Sequence, residues 1–270
     1  MTTKNTLLIR VLAAVSFVVM VSVNILANVL PINDVKTADI SSLYDNLFAP
    51  AGYTFAIWGL IYLLLACYTL YQMGLFQPKD APIKSDLFGK IGIYFIISSL
   101  ANAAWIFAWH YDQIAISVVL MAVILVSLIM ISRILIAEEL SARESAFIRV
   151  PFSVYFGWIT IATIANITTF LVSLGWNGFG ISDAMWTVIM IAIGLLISGA
   201  NTWKNKDIAY GLTVIWALVG ILVKHLSTSG YGGFYTSVIA TCIASIVLLL
   251  GLVGYIVYTN REKWNLTSAK

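Results

Sequence analysis

The chain reads as long apolar runs separated by short polar breaks. A helix that crosses a bilayer needs about 20 mostly apolar residues. Eight runs meet that need: Leu7–Leu30, Thr54–Tyr71, Ile91–Trp109, Ile114–Ile136, Val150–Leu174, Ala184–Trp203, Ile208–Lys224 and Tyr235–Tyr258. None shows the polar/apolar alternation of a barrel strand. In lipid the backbone must then satisfy its own hydrogen bonds as helix. The pattern predicts an all-α integral membrane protein with eight transmembrane helices and no soluble domain large enough to fold alone. The first run is longer than the 7–15-residue core of a secretory signal, and no small-residue cleavage site follows it. It is read as a retained helix.

Composition agrees. Hydrophobic residues make up 61% of the chain and charged residues 10%, whereas soluble domains carry about a quarter charged. The charges add orientation. Lys4, Arg10, Lys79, Lys84, Lys90, Arg133, Arg143, Arg149, Lys204, Lys206, Arg261, Lys263 and Lys270 fall on one side of an eight-helix path, and only Lys36 and Lys224 on the other. Short basic loops stay cytoplasmic. Both termini are therefore expected in the cytoplasm, with the chain in the plasma membrane. The net charge of +3 follows from this topology and does not indicate a nucleic-acid partner.

The longest outside loop, Pro31 to Tyr53, holds Asp34, Lys36, Asp39 and Asp45 and ends in Phe48-Ala49-Pro50-Ala51-Gly52. A loop of this length serves either as a lid or as a solvated connector. The turn at Trp109–Gln113 is tight enough to make the third and fourth helices antiparallel neighbours. Glu138, Glu139, Arg143, Glu144 and Arg149 suggest a solvated helical extension before the fifth.

Ionisable residues within spans are costly and usually functional. Here Asp112, His110, Lys224 and His225 fall at helix ends, and no buried Asp, Glu or Arg is expected in any span. This argues against ion-coupled pumping and against acid–base or metal chemistry. Two histidines at one level can in principle ligate a haem iron, though interface histidines usually only anchor. Cys67 and Cys242 lie in separate helices and suggest buried packing, not a disulfide or a zinc site.

What remains is aromatic and amide. The chain has nine Trp and thirteen Tyr. Interface anchoring accounts for Trp176, Trp186, Trp203 and Trp264. Other sets align on single helix faces: Trp58 and Tyr62; Asn102, Trp105 and Trp109; and Tyr155, Trp158, Ala162 and Asn166. Such faces can line an aromatic cavity with a few amides, suited to a flat apolar ligand. Alternatively, the asparagines only bridge helices. Gly211, Gly220, Gly251 and Gly254 permit close contacts among the last three helices.

Three segments resemble one family. Pro50-Ala-Gly-Tyr-Thr-Phe-Ala-Ile-Trp58-Gly-Leu-Ile-Tyr62, Leu100-Ala-Asn102-Ala-Ala-Trp105 and Trp158-Ile-Thr-Ile-Ala162-Thr-Ile-Ala-Asn166 are similar to helices 2, 3 and 5 of the tryptophan-rich sensory protein (TspO, translocator protein) family. Pro151-Phe152 lies seven residues before Trp158, whereas the family places Pro-Tyr one turn before its Trp. The resemblance spans Leu7 to Leu174. It implies a TspO-like five-helix bundle over residues 1–176, with three additional helices over 177–270. It further implies porphyrin or tetrapyrrole binding, often by a homodimer.

The ligand-binding residues expected by motif and face are Trp58, Tyr62, Asn102, Trp105, Trp158, Ala162 and Asn166, with Pro50 and Tyr53 in a lid loop. No cofactor is required, and a porphyrin or haem would be the ligand. The expected partners are the lipid bilayer and a small hydrophobic ligand. A receptor or sensor is the leading reading, and a facilitative transporter of a small amphipathic metabolite is the alternative. A purely structural, partner-binding role is a third. Light-dependent porphyrin degradation enters through the resemblance alone.

Overall fold

The computed structural model describes residues 3–30, 32–34, 40, 43–77 and 84–268. Pro31, Lys36, Asp39, Lys79 and Lys270 lie outside them. Eight helices are long and apolar enough to cross a membrane, and no strand occurs among the described residues. They are α1 (Thr3–Val29), α2 (Ile57–Gln72), α3 (Ser85–His110), α4 (Ile114–Ile136), α5 (Val150–Ser173), α6 (Asp183–Asn205), α7 (Ile208–Leu226) and α8 (Thr236–Ser268). The predicted bounds fit closely where a turn ends the apolar run. They fall short at the start of α3, because helical hydrogen bonding continues past the last apolar residue. There Asp86 and Lys90 form an exposed i,i+4 pair at 2.7 Å.

Local chemistry sets the helix ends. Ser182 caps α6 by accepting from the Met185 N–H, and Asp207 caps α7 by accepting from the Tyr210 N–H. Both satisfy otherwise orphaned first-turn donors. Gly175, at φ +64°, closes α5: its N–H donates to the Val172 carbonyl and the Trp176 N–H to that of Leu171. This is a left-handed cap in which glycine escapes a Cβ clash. Before α5, Ser141 and Glu144 form a reciprocal capping box, and Ser145–Arg149 make a π turn. Pro151 follows at once, and its missing N–H explains the local widening. The expected helical extension is thus present.

By compactness the chain divides into two units. One comprises residues 1–44 and 55–159, the other 45–54 and 160–270. The first unit holds α1 to α4 and the opening of α5. Within it α4 packs on α3, as the tight turn required, and α1 packs on α3 as well. Gly92 permits the α1–α3 approach, since a Cβ there would meet Ile9 Cγ2 at 2.6 Å. Lipid supplies no hydrophobic drive between helices, so such close packing carries the association.

One expectation fails here. Arg10 lies within the first span and is buried. Its guanidinium donates to the Gln72 backbone carbonyl and sits 5.7 Å from the Phe88 ring centre. The Gln72 side chain donates in return to the Arg10 carbonyl at 3.4 Å. These partners at the helix end make burial of the charge tolerable.

In the second unit α8 packs on α6 and α7. Of the four glycines expected at close contacts, Gly211 and Gly220 are buried against neighbours. A Cβ on Gly211 would stand 3.1 Å from Thr202 Oγ1. Gly251 and Gly254 have nothing within 4 Å of a Cβ and are exposed. They lie on the wrong face of α8 for that role.

Candidate functional site

Within the first unit, Phe55 just before α2, two residues of α2 and two at the start of α5 bring five aromatic side chains together. Trp58 and Tyr62, one turn apart on α2, stack with ring centres 5.4 Å apart. Trp58 meets Tyr155 at 5.9 Å and Trp158 at 6.3 Å, both edge to face. Trp158 meets Phe55 the same way at 5.8 Å. Edge-to-face pairs place the positive rim of one ring on the negative face of the next, worth about 0.5–1.5 kcal/mol each beyond burial. A second aromatic group joins α2, α3 and α5 one to two turns away: Tyr68, Phe95 and Phe152 pack edge-on at 4.7 to 5.4 Å.

A chain of polar groups borders the cluster. The Asn24 amide donates to Asn102 Oδ1 at 2.8 Å, and the Asn102 amide donates to the Tyr155 hydroxyl at 3.1 Å. All three side chains are buried. Asn102 thus does bridge helices, and it also fixes the Tyr155 ring beneath Trp58. Two donors in the cluster have no protein partner: the Trp158 indole N–H and the Tyr62 hydroxyl are buried and unbonded. A buried, unbonded donor costs about 1–3 kcal/mol, as much as one or two of these ring contacts return.

The sequence-predicted residues separate as follows. Trp58, Tyr62, Trp158 and Asn102 meet as described. Trp105 is buried on α3 and stacks on Trp109 at 5.1 Å. Ala162 and Asn166 lie on the part of α5 that belongs to the second unit, Ala162 half-buried and Asn166 buried. Pro50 and Tyr53 also belong to the second unit. Sequence reasoning missed Phe55 and Asn24. Asn24 carried a signal, being an amide inside an otherwise apolar run, with Asn28 one turn on.

The second unit holds another unforeseen arrangement: residues 45–54 are strapped along α7. The His225 imidazole donates from Nε2 to the Leu47 carbonyl at 2.8 Å. The Ala51 N–H donates to the Gly220 carbonyl at 3.0 Å. The Trp216 indole N–H donates to the Thr54 carbonyl at 3.0 Å. The Tyr231 hydroxyl donates to Asp45 at 2.8 Å; burial first, and this bond second, raise the Tyr231 pKa above its ordinary value. Tyr53, expected in a lid, is exposed and meets the Trp216 ring edge-on at 5.8 Å.

The other histidine, His110, donates from Nδ1 to the Ile32 carbonyl at 3.1 Å. Each histidine therefore spends one ring N–H on a backbone carbonyl. Among the described residues no three His, Cys, Asp or Glu side chains group as metal ligands.

No curated protein and no solved structure matches the chain. A family model described as TSPO-like protein matches residues 10–255. That match continues past Leu174, where the motif resemblance ended, and takes in α6, α7 and α8 as far as Tyr255. With the motifs on α2, α3 and α5 and a match over most of its length, the chain belongs to the TSPO-like protein family.

Proposed function

We propose that this protein is a membrane receptor that binds a planar hydrophobic ligand of the tetrapyrrole class at the Phe55, Trp58, Tyr62, Tyr155 and Trp158 cluster. Family membership supports a sensor- or transporter-type membrane role. The observation that carries the finer reading is the pair of buried, unpartnered donors, Trp158 Nε1 and Tyr62 Oη, set among aromatic faces. A ligand with an extended π-system and polar edge groups would stack on the rings and satisfy both donors. The Asn24–Asn102–Tyr155 chain would hold the ring wall in place.

The test is a spectral titration of the detergent-purified protein with protoporphyrin IX. A saturable red shift of the porphyrin band is expected. Trp158→Phe keeps a ring and removes the N–H, so it should weaken binding about five- to tenfold, the equivalent of one hydrogen bond. Trp58→Ala should weaken it more. An unsaturable shift, or one identical in both variants, would sink the reading.

A further inference from the structure

The second unit contains a cavity of about 430 Å³, walled by the first residues of the strap, the end of α5, the start of α6 and the segment before α8. Its volume falls in the range of small-molecule sites. Two aromatic pairs stand in the wall. Trp176 and Trp186 lie 4.9 Å apart, tilted to each other. Tyr231 and Tyr235 lie 5.3 Å apart, edge to face. Asp45 and Asp183 complete the wall, and among the described residues no Lys or Arg lines it.

The wall is fixed before any ligand arrives. The Trp186 indole donates to the Gly178 carbonyl at 2.7 Å. Gly178 permits that approach, since a Cβ there would lie 2.8 Å from Trp186 Nε1. Tyr231 is held by its bond to Asp45 and by the His225 ring at 4.8 Å. Lys224 sits outside the wall, 5.7 Å from the Tyr231 ring centre, so that among the described residues the two carboxylates outnumber the nearby cation.

Electron-rich ring faces together with a net acidic wall favour one ligand chemistry. We propose that this cavity is a second binding site, separate from the aromatic cluster of the first unit, for an organic ammonium ion that carries an apolar body. The ammonium would lie against the Trp and Tyr faces by cation–π attraction with Asp183 and Asp45 as counter-charges, and the apolar body would fill the remaining volume. A free amphiphilic cation and the choline headgroup of a phospholipid share this chemistry.

The probe is benzyltrimethylammonium, titrated calorimetrically into the full-length protein in dodecyl maltoside, a detergent without ammonium groups. Saturable binding is expected. Asp183→Asn, an exposed and conservative change, should weaken it several-fold, and Trp186→Leu roughly five- to tenfold. The uncharged isostere neopentylbenzene should not compete. Trp58→Ala should leave this binding unchanged, so that failure here and failure of the porphyrin reading are distinguishable.

Competition by short-chain phosphatidylcholine would identify the source as a lipid headgroup, and its absence a free cation. Either outcome, given saturable binding, supports the shared chemistry. No saturable heat in the wild type, or equal affinity in the wild type and Asp183→Asn, would overturn the proposal. So would effective competition by the neutral isostere. Trp186→Leu counts only if its thermal unfolding matches the wild type; Asp183→Asn carries the decision otherwise.

Discussion

The strap of residues 45–54 rests on a single glycine, and Gly220→Ala tests that dependence. An added Cβ would lie 2.2 Å from Thr54 Oγ1, 2.5 Å from its Cγ2 and 2.9 Å from its Cβ. Rotating the threonine about χ1 exchanges one branch for the other and leaves Cβ in place, so the clash cannot be relieved by a rotamer. Thr54 is fully buried and has nowhere to retreat. The backbone must separate, which stretches the Ala51 N–H to Gly220 carbonyl bond and the Trp216 N–H to Thr54 carbonyl bond. Overpacking of this kind costs about 1–3 kcal/mol.

Taking about 2 kcal/mol for opening the strap, amide exchange across 47–54 should accelerate roughly 30-fold. Hydrogen–deuterium exchange with mass spectrometry in lipid nanodiscs reads that segment directly. α3 and α4 serve as internal controls and should not change. Thr54→Ala removes two of the three clashing atoms, so Gly220→Ala/Thr54→Ala should recover most of the protection. Unchanged exchange in the single variant, or no recovery in the double, would refute the account of the strap as a close-packed, glycine-dependent contact.

Other consequences are simpler. Asn102→Leu removes both bonds of the Asn24–Asn102–Tyr155 chain and should lower stability in denaturant titration by about 1–2 kcal/mol, with Tyr155→Phe costing about half as much. Arg10→Ala should destabilise by about 2–3 kcal/mol, through the lost charge-assisted bond to the Gln72 carbonyl and the lost stem packing; thermal unfolding followed by intrinsic fluorescence measures it.

The Tyr231 phenol, with its pKa raised by burial and by Asp45, should stay protonated above pH 10. Its hydrogen bond therefore contributes fully below about pH 10, the unfolded value, and fades as pH rises beyond it. The absorbance titration at alkaline pH should show Tyr231→Phe lacking only a late-titrating phenol.

The first-order architecture was written in the hydrophobic pattern. Eight apolar runs became eight helices, and α4 matched its run to the residue, because a bilayer imposes both a length and a helical backbone on any chain that crosses it. The face sets on α2 and α5 were also legible: Trp58 with Tyr62, and Tyr155 with Trp158, are neighbours because residues three or four apart share a helix face.

Other features could not be read locally. Arg10 read as a charge at the cytoplasmic start of the first run, and its burial depends on the Gln72 carbonyl, 62 positions away. Gly220 and Gly251 are alike in composition and context, yet one meets Thr54 and the other meets nothing. Lipid solvates every apolar face equally, so hydrophobicity alone does not say which face packs. The helices were determined by the sequence through solvent and periodicity. The strap, the unpartnered donors of the aromatic cluster and the acidic, aromatic cavity were decided by tertiary structure. His225 and the Leu47 carbonyl show the reason: 178 positions separate them, and a hydrogen bond over that separation exists only once the fold has brought donor and acceptor within reach.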